Sequence, residues 1–122
     1  MAGTVTTTEN AVGTVKKVTF TWVSSAGGAA DATTTNSYDG EIIAIFQIPD
    51  AGGTQPTNSY DVVVKDADNH DILLGLGADI SNSANSYKAK KDGLGAVASS
   101  KLTLAVTNAG SAKGGSTILW IR

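Results

Sequence analysis

Alternation of apolar and polar positions is the strongest signal along this chain. Val18, Phe20 and Trp22 alternate with Lys17, Thr19 and Thr21, which predicts a strand with three large side chains on one face. Glu41–Ile48 is the most hydrophobic stretch. Two-residue spacing puts Ile42, Ala44, Phe46 and Ile48 on one face and Ile43 and Ile45 on the other. A strand apolar on both faces is either central or has its second face covered by a partner. Pro49, Gly52, Gly53 and Pro56 cannot continue a ladder and end it. Tyr60–Lys65 predicts a third strand with Tyr60, Val62 and Val64 inward. A polar turn at Asp66–Asp71 should lead Ile72–Gly75 back as a hairpin. Lys101–Val106 alternates strictly, with Leu102, Leu104 and Val106 inward. After a flexible turn at Asn108–Gly115, Thr117–Arg122 returns as the closing strand.

The remaining segments carry less pattern. Val23–Asn36 reads as a long loop of small residues, and Gly77–Asp92 as a polar, irregular segment in which Ile80 and Tyr87 are the largest apolar groups. Residues 1–13 are Thr-rich with little apolar material and read as a flexible N-terminal arm. Residues 14–122 then form one domain. Six strands are clear, and eight if Val12–Val15 and Gly95–Ala98 also form strands. The expectation is an all-β chain, a single antiparallel β-sandwich of jelly-roll type with an extended N-terminal arm. The tripeptide Asn-Ser-Tyr occurs at 36–38, 58–60 and 85–87 without a shared hydrophobic pattern. It reads as one local solution used three times: Asn and Ser end a turn and Tyr opens a strand.

Composition sharpens this picture. The 122 residues include 15 Thr, 14 Gly, 11 Ser and 7 Asn but only two Glu, one Arg and one Met, so strong helix formers are scarce. A net charge of −2 leaves no clustered Lys/Arg footprint for nucleic acid. Absence of Cys removes disulfides, thiol catalysis and zinc ribbons. Apolar runs are far shorter than the ~20 residues of a membrane helix, and Met1–Glu9 has neither the basic nor the apolar region of a secretory signal. No membrane, nucleic-acid or cofactor partner is therefore expected.

Candidate chemistry is sparse. Asp66, Asp68, His70 and Asp71 form the only dense acidic cluster, but an EF-hand register starting at Asp66 places Asp71 where Gly is needed and Gly77 where Glu is needed. A solvated hairpin tip fits better, so no metal site is expected. His70 is the only His and lacks a nucleophile motif. Asp31, Asp39, Asp50, Asp61, Asp79 and Asp92 fall in turns or at strand edges, where nothing pairs them across a cleft. Gly75-Leu-Gly77 is half a dinucleotide fingerprint without its helix, and Lys88-Ala-Lys-Lys91 is too small a basic run for phosphate binding. These observations predict a non-enzymatic protein. Trp22 is expected in the core. The strand of Trp120 is apolar on both faces, so Trp120 is a candidate interface residue, together with Thr6, Thr7, Thr8 and Glu9 of the arm.

The runs Val15–Trp22, Glu41–Pro49, Tyr60–Asp68, Leu104–Gly110 and Thr117–Arg122 together resemble small virion proteins of tailed bacteriophages, over residues 14 to 122. Within that group, size and all-β character are similar to jelly-roll decoration, or cement, proteins of phage heads. The resemblance implies a capsid-surface location, binding across major capsid protein subunits, a homo-oligomer (dimer or trimer) and stabilisation of the shell. Its implied mechanism is a rigid sandwich whose arm (2–13) and Ser24–Asn36 loop become ordered on the capsid. Two alternatives stand beside it. One is a phage tail, head-fibre or receptor-binding module. The other is a carbohydrate- or calcium-binding sandwich, whose aromatic platform would have to come from Tyr38, Tyr60 and Tyr87.

Overall fold

A computed structural model describes residues 3–122. Among these residues nine strands form, in chain order: β1 (Thr4–Asn10), β2 (Lys16–Val23), β3 (Ala30–Thr33), β4 (Tyr38–Pro49), β5 (Asp61–Lys65), β6 (Ser86–Ala89), β7 (Ala96–Ser100), β8 (Thr103–Thr107) and β9 (Gly114–Ile121). All pairings are antiparallel. The larger sheet runs β1-β2-β9-β4-β6, with β7 pairing the first part of β4, and the smaller sheet runs β3-β8-β5. The pairs β2·β9, β3·β8 and β4·β7 are nested. Residues 71–80 continue the series by lying against β5 through the bridges Lys65↔Asp71 and Tyr60↔Ile80. A chain paired this way is one long double-stranded ribbon rolled into two sheets, which is the jelly-roll plan. No helix among the described residues is long and apolar enough to cross a membrane.

The core fills the space between the sheets. Val18, Phe20 and Trp22 of β2, Ile42 and Ile45 of β4, and Leu119 and Ile121 of β9 face Val62 and Val64 of β5 and Leu104 and Val106 of β8, all fully buried. The Trp22 and Tyr60 rings pack with centroids 5.5 Å apart, and burial pushes the Tyr60 hydroxyl up to about 12. Gly115, the register partner of Trp22, leaves the space that the indole occupies, since a Cβ there would press on Cζ2 at 2.8 Å.

Several expectations need correction. Thr4–Asn10, read as part of a flexible arm, is the edge strand β1, paired in unbroken register with β2; residues 1 and 2 lie outside the described residues. Thr has high β propensity, and β2 supplies a full row of backbone partners, so a strand forms there with little apolar content. The Val23–Asn36 segment contains β3, Gly77–Asp92 contains β6, and Gly114 and Gly115 belong to β9 rather than to the preceding turn. Val12–Val15 forms no strand, whereas β7 takes up Ala96–Ala98 of the expected Gly95–Ala98 strand and runs on to Ser100. Ile72–Gly75 forms turns, tied to β5 by the bond from Ile72 N–H to Val64 C=O at 2.8 Å.

The largest correction concerns β4. Its register slips by one residue between Ile42 and Ala44, so that Ile43 is an extra residue against β9. The bulge reverses the alternation beyond it. Ile42 and then Ile45 and Gln47 point into the core, while Phe46 and Ile48 face outward instead of sharing a face with Ile42.

Candidate interaction face

The outward turn of Phe46 creates the most unusual surface of the molecule. Register partners share a face, so the outer side of the larger sheet can be read row by row. One row runs Thr8, Thr19, Ile118, Phe46, Tyr87 from β1 across to β6; its neighbours run Asn10, Lys17, Trp120, Ala44, Ala89 and Thr6, Thr21, Ser116, Ile48. The β1–β2 half is a Thr-rich polar field, and the β9–β4–β6 half is an aromatic and aliphatic strip. Phe46 sits at the centre of the strip, its ring centroid 4.8 Å from Tyr87 and 4.9 Å from Trp120, with interplanar angles of 35° and 61°. Trp120 is 38% exposed, Tyr87 55% and Ile48 36%. The solvent face of an antiparallel sheet is ordinarily polar, so this apolar strip rimmed by polar residues is a candidate interaction face.

Of the candidate residues read from the sequence, the fold brings Thr6, Thr8 and Trp120 onto this one face. Thr7 and Glu9 point to the opposite side of β1, toward the smaller sheet. Glu9 is a clasp rather than a free contact group. Its carboxylate accepts the Thr35 and Asn36 N–H groups at 2.9 and 3.0 Å and the Tyr38 hydroxyl at 2.7 Å. Partial burial pushes the Glu9 carboxyl up, but these hydrogen bonds outweigh it and hold the group below its ordinary value. The same burial and the carboxylate beside it raise the Tyr38 hydroxyl. Phe46 and Ile48 were missed as interface residues, because nothing in the alternation signals the extra residue at Ile43, and Tyr87 was weighed only as part of a sugar platform. Of the three tyrosines proposed as a platform, Tyr38 and Tyr60 are buried and only Tyr87 is exposed.

Most aspartates do structural work in turns. Asp39 Oδ1 accepts the Ser99 N–H and hydroxyl; Asp61 binds the Asp79 N–H and the Asn108 amide at 2.9 and 2.7 Å; Asp71 binds the Leu73 and Gly75 N–H groups. Asp66, Asp68 and His70 are the described residues that could together hold a metal ion. Asp66 Oδ1 nevertheless accepts the Asp68 and His70 N–H groups at 3.0 and 2.9 Å, an Asx-type turn. The backbone bond from His70 is the main cause of the lowered Asp66 carboxyl. Of the Lys88–Lys91 run, Lys90 pairs with Glu41, and Lys91 lies 3.3 Å from Asp92. Lys90 and Glu41 line a cleft of about 350 Å³ with Ile43 and Arg122. Fold and face together describe an all-β sandwich with one apolar outer strip. No family model, curated protein or solved structure matches this chain.

Proposed function

We propose that this chain is a non-enzymatic structural protein that docks through the outer face of its larger sheet onto a large protein surface. On the resemblance of its strand patterns, that surface is the outside of a phage head. In this reading it is a decoration protein that bridges major capsid protein subunits and stabilises the shell. The carrying observation is the Phe46–Tyr87–Trp120–Ile48 strip, which leaves Trp and Tyr, the residues enriched at interface hot spots, in contact with water. Its rings tilt against one another on an open sheet face. That suits a broad protein contact better than a sugar, which stacks on a flat ring within a groove. Neither a long loop nor an arm is needed for docking, since the sheet face is preformed.

The test is quantitative mass spectrometry of purified particles from the source of this chain. Parity with the major capsid protein, or a simple fraction of it, is expected. A handful of copies per particle would move the protein to the tail or a fibre, and absence from the particle would overturn the proposal. Exposed Trp120 and Tyr87 also favour one other reading, a carbohydrate-binding sandwich. A glycan panel read by thermal shift tests it, and a ligand-dependent rise in melting temperature would support it.

A further inference from the structure

Among the described residues, every strand edge but one is closed or short. The outer edge of β5 is covered by residues 72–80 through the bonds Ile72 N–H to Val64 C=O at 2.8 Å, Val62 N–H to Gly77 C=O at 2.7 Å and Ile80 N–H to Tyr60 C=O at 2.8 Å. β3 and β6 have four residues each, and β6 runs directly into Lys90 and Lys91. β7 is interrupted by Ser99, whose φ is 47°. β1 is different. It is seven residues long, in unbroken register with β2, and has no Pro, no Lys and no bulge. Pro, Lys and bulges are among the devices by which natural edge strands avoid pairing with other chains; the one such device on β1, the inward-pointing charge of Glu9, is taken up by Thr35, Asn36 and Tyr38.

The ladder shows which groups that edge presents. Asp50 N–H bonds Gly114 C=O, Glu41 and Arg122 exchange both bonds, and Ser24 N–H bonds Lys113 C=O. Even-numbered residues of β9 therefore bond β4, and odd-numbered ones bond β2. Alternation carried across β2 makes Thr4, Thr6, Thr8 and Asn10 the residues bonded to it. The backbone N–H and C=O groups of Val5, Thr7 and Glu9 point away from the sheet. None of them has a backbone partner among the described residues.

We infer that this edge pairs with the same edge of a second copy, β1 against β1 in antiparallel orientation, about a two-fold axis at Thr7. The register follows from the strand itself. Thr7 meets Thr7 of the second copy and Val5 meets Glu9, as narrow pairs that each exchange both backbone bonds. Thr6 meets Thr8 on the outer face, a favourable cross-strand Thr pair. The strand's only charge never faces itself. The two Glu9 positions stand four residues apart along the ladder, roughly 13 Å, beyond the Debye length of about 8 Å at physiological salt, and each carboxylate is occupied by its own Thr35, Asn36 and Tyr38. A two-fold axis perpendicular to the sheet keeps both outer faces on one side, so the pair presents two aromatic strips in a single continuous sheet. That last consequence rests on the proposed docking face and would make docking bivalent. The pairing itself does not depend on it.

The experiment is sedimentation equilibrium on the full chain, with amide hydrogen exchange read by NMR. The wild type is expected to be a dimer in which the Val5, Thr7 and Glu9 amides are protected. Thr7→Pro removes an outward N–H at an edge position where proline is tolerated. It should weaken dimerisation about tenfold or more and leave the Val5 and Glu9 amides exchanging freely in a folded monomer. A second variant, Thr6→Lys with Thr8→Lys, changes only exposed outer-face positions but places Lys opposite Lys across the axis, and should also be monomeric. A wild type that stays monomeric up to about 1 mM, the weak end of association, would overturn the inference. So would an oligomer that survives both variants, or a dimer whose Val5, Thr7 and Glu9 amides exchange freely. Particle binding plays no part in these readouts, so failure of the pairing and failure of the docking proposal are separable.

Discussion

Replacing Glu9 by Gln tests how the edge strand is held. Glu9 is the link between β1 and the 34–38 segment. Three donors converge on its carboxylate: Thr35 N–H at 2.9 Å, Asn36 N–H at 3.0 Å and Tyr38 Oη at 2.7 Å. A hydrogen bond to a charged group contributes roughly 1.5–3 kcal/mol, and partial exposure of the site reduces that toward about 1 kcal/mol per bond. Gln keeps the shape and one acceptor oxygen, but turns an NH₂ group toward a backbone N–H. The expected cost is about 1–2 kcal/mol, or a fall in melting temperature of about 4–8 °C for a domain of this size. The pH dependence isolates the charge. The Glu9 carboxyl is held below its ordinary 4.5, so its contribution is fully present above that value and is lost as pH falls through the depressed folded value. The stability gap between wild type and Glu9→Gln should be full at pH 7, shrink below about pH 4.5 and close once both side chains are neutral. Urea melts of both proteins from pH 7 downward measure it, and faster exchange of the Thr35 and Asn36 amides in the variant locates it. A gap that stays constant with pH would refute the charge argument, and no gap at pH 7 would refute the clasp.

Further outcomes follow from other parts of the fold. Trp120→Ala should cost only about 1 kcal/mol of stability, since the indole lies on the outer face, yet weaken binding to purified phage heads more than tenfold; a proportionate loss of both would make Trp120 a packing residue. Thr117 donates to Gln47 Oε1 at 2.6 Å in the core, where Gln47 Nε2 has no partner among the described residues. Thr117→Val should therefore cost about 1–3 kcal/mol, while adding Gln47→Leu restores most of it; additive losses in the double-mutant cycle would contradict this. Gly40 has φ 123°, and a Cβ there would run into the Arg122 carbonyl that pairs with Glu41. Gly40→Ala should thus cost about 2 kcal/mol or more, whereas Gly53→Ala, which meets open space, should leave the melting temperature unchanged.

The division between sequence and tertiary structure falls along physical lines. β2, β5 and β8 were legible because one face of each is buried and the other is not, so Phe20 and Trp22, Val62 and Val64, and Leu104 and Val106 follow the two-residue period of the strand. The all-β class and the placing of Trp22 in the core follow from the same pattern. β1 was illegible: its stability comes from the row of partners on β2 and from the Glu9 clasp, both supplied by residues distant in sequence. Only the tertiary structure decided the face. The bulge at Ile43 arises from the pairing of β4 with β9, and that single extra residue turns Phe46 outward between Tyr87 and Trp120. An apolar run records how much surface a strand must cover. Which side chains are covered is settled only when its neighbours fix the register.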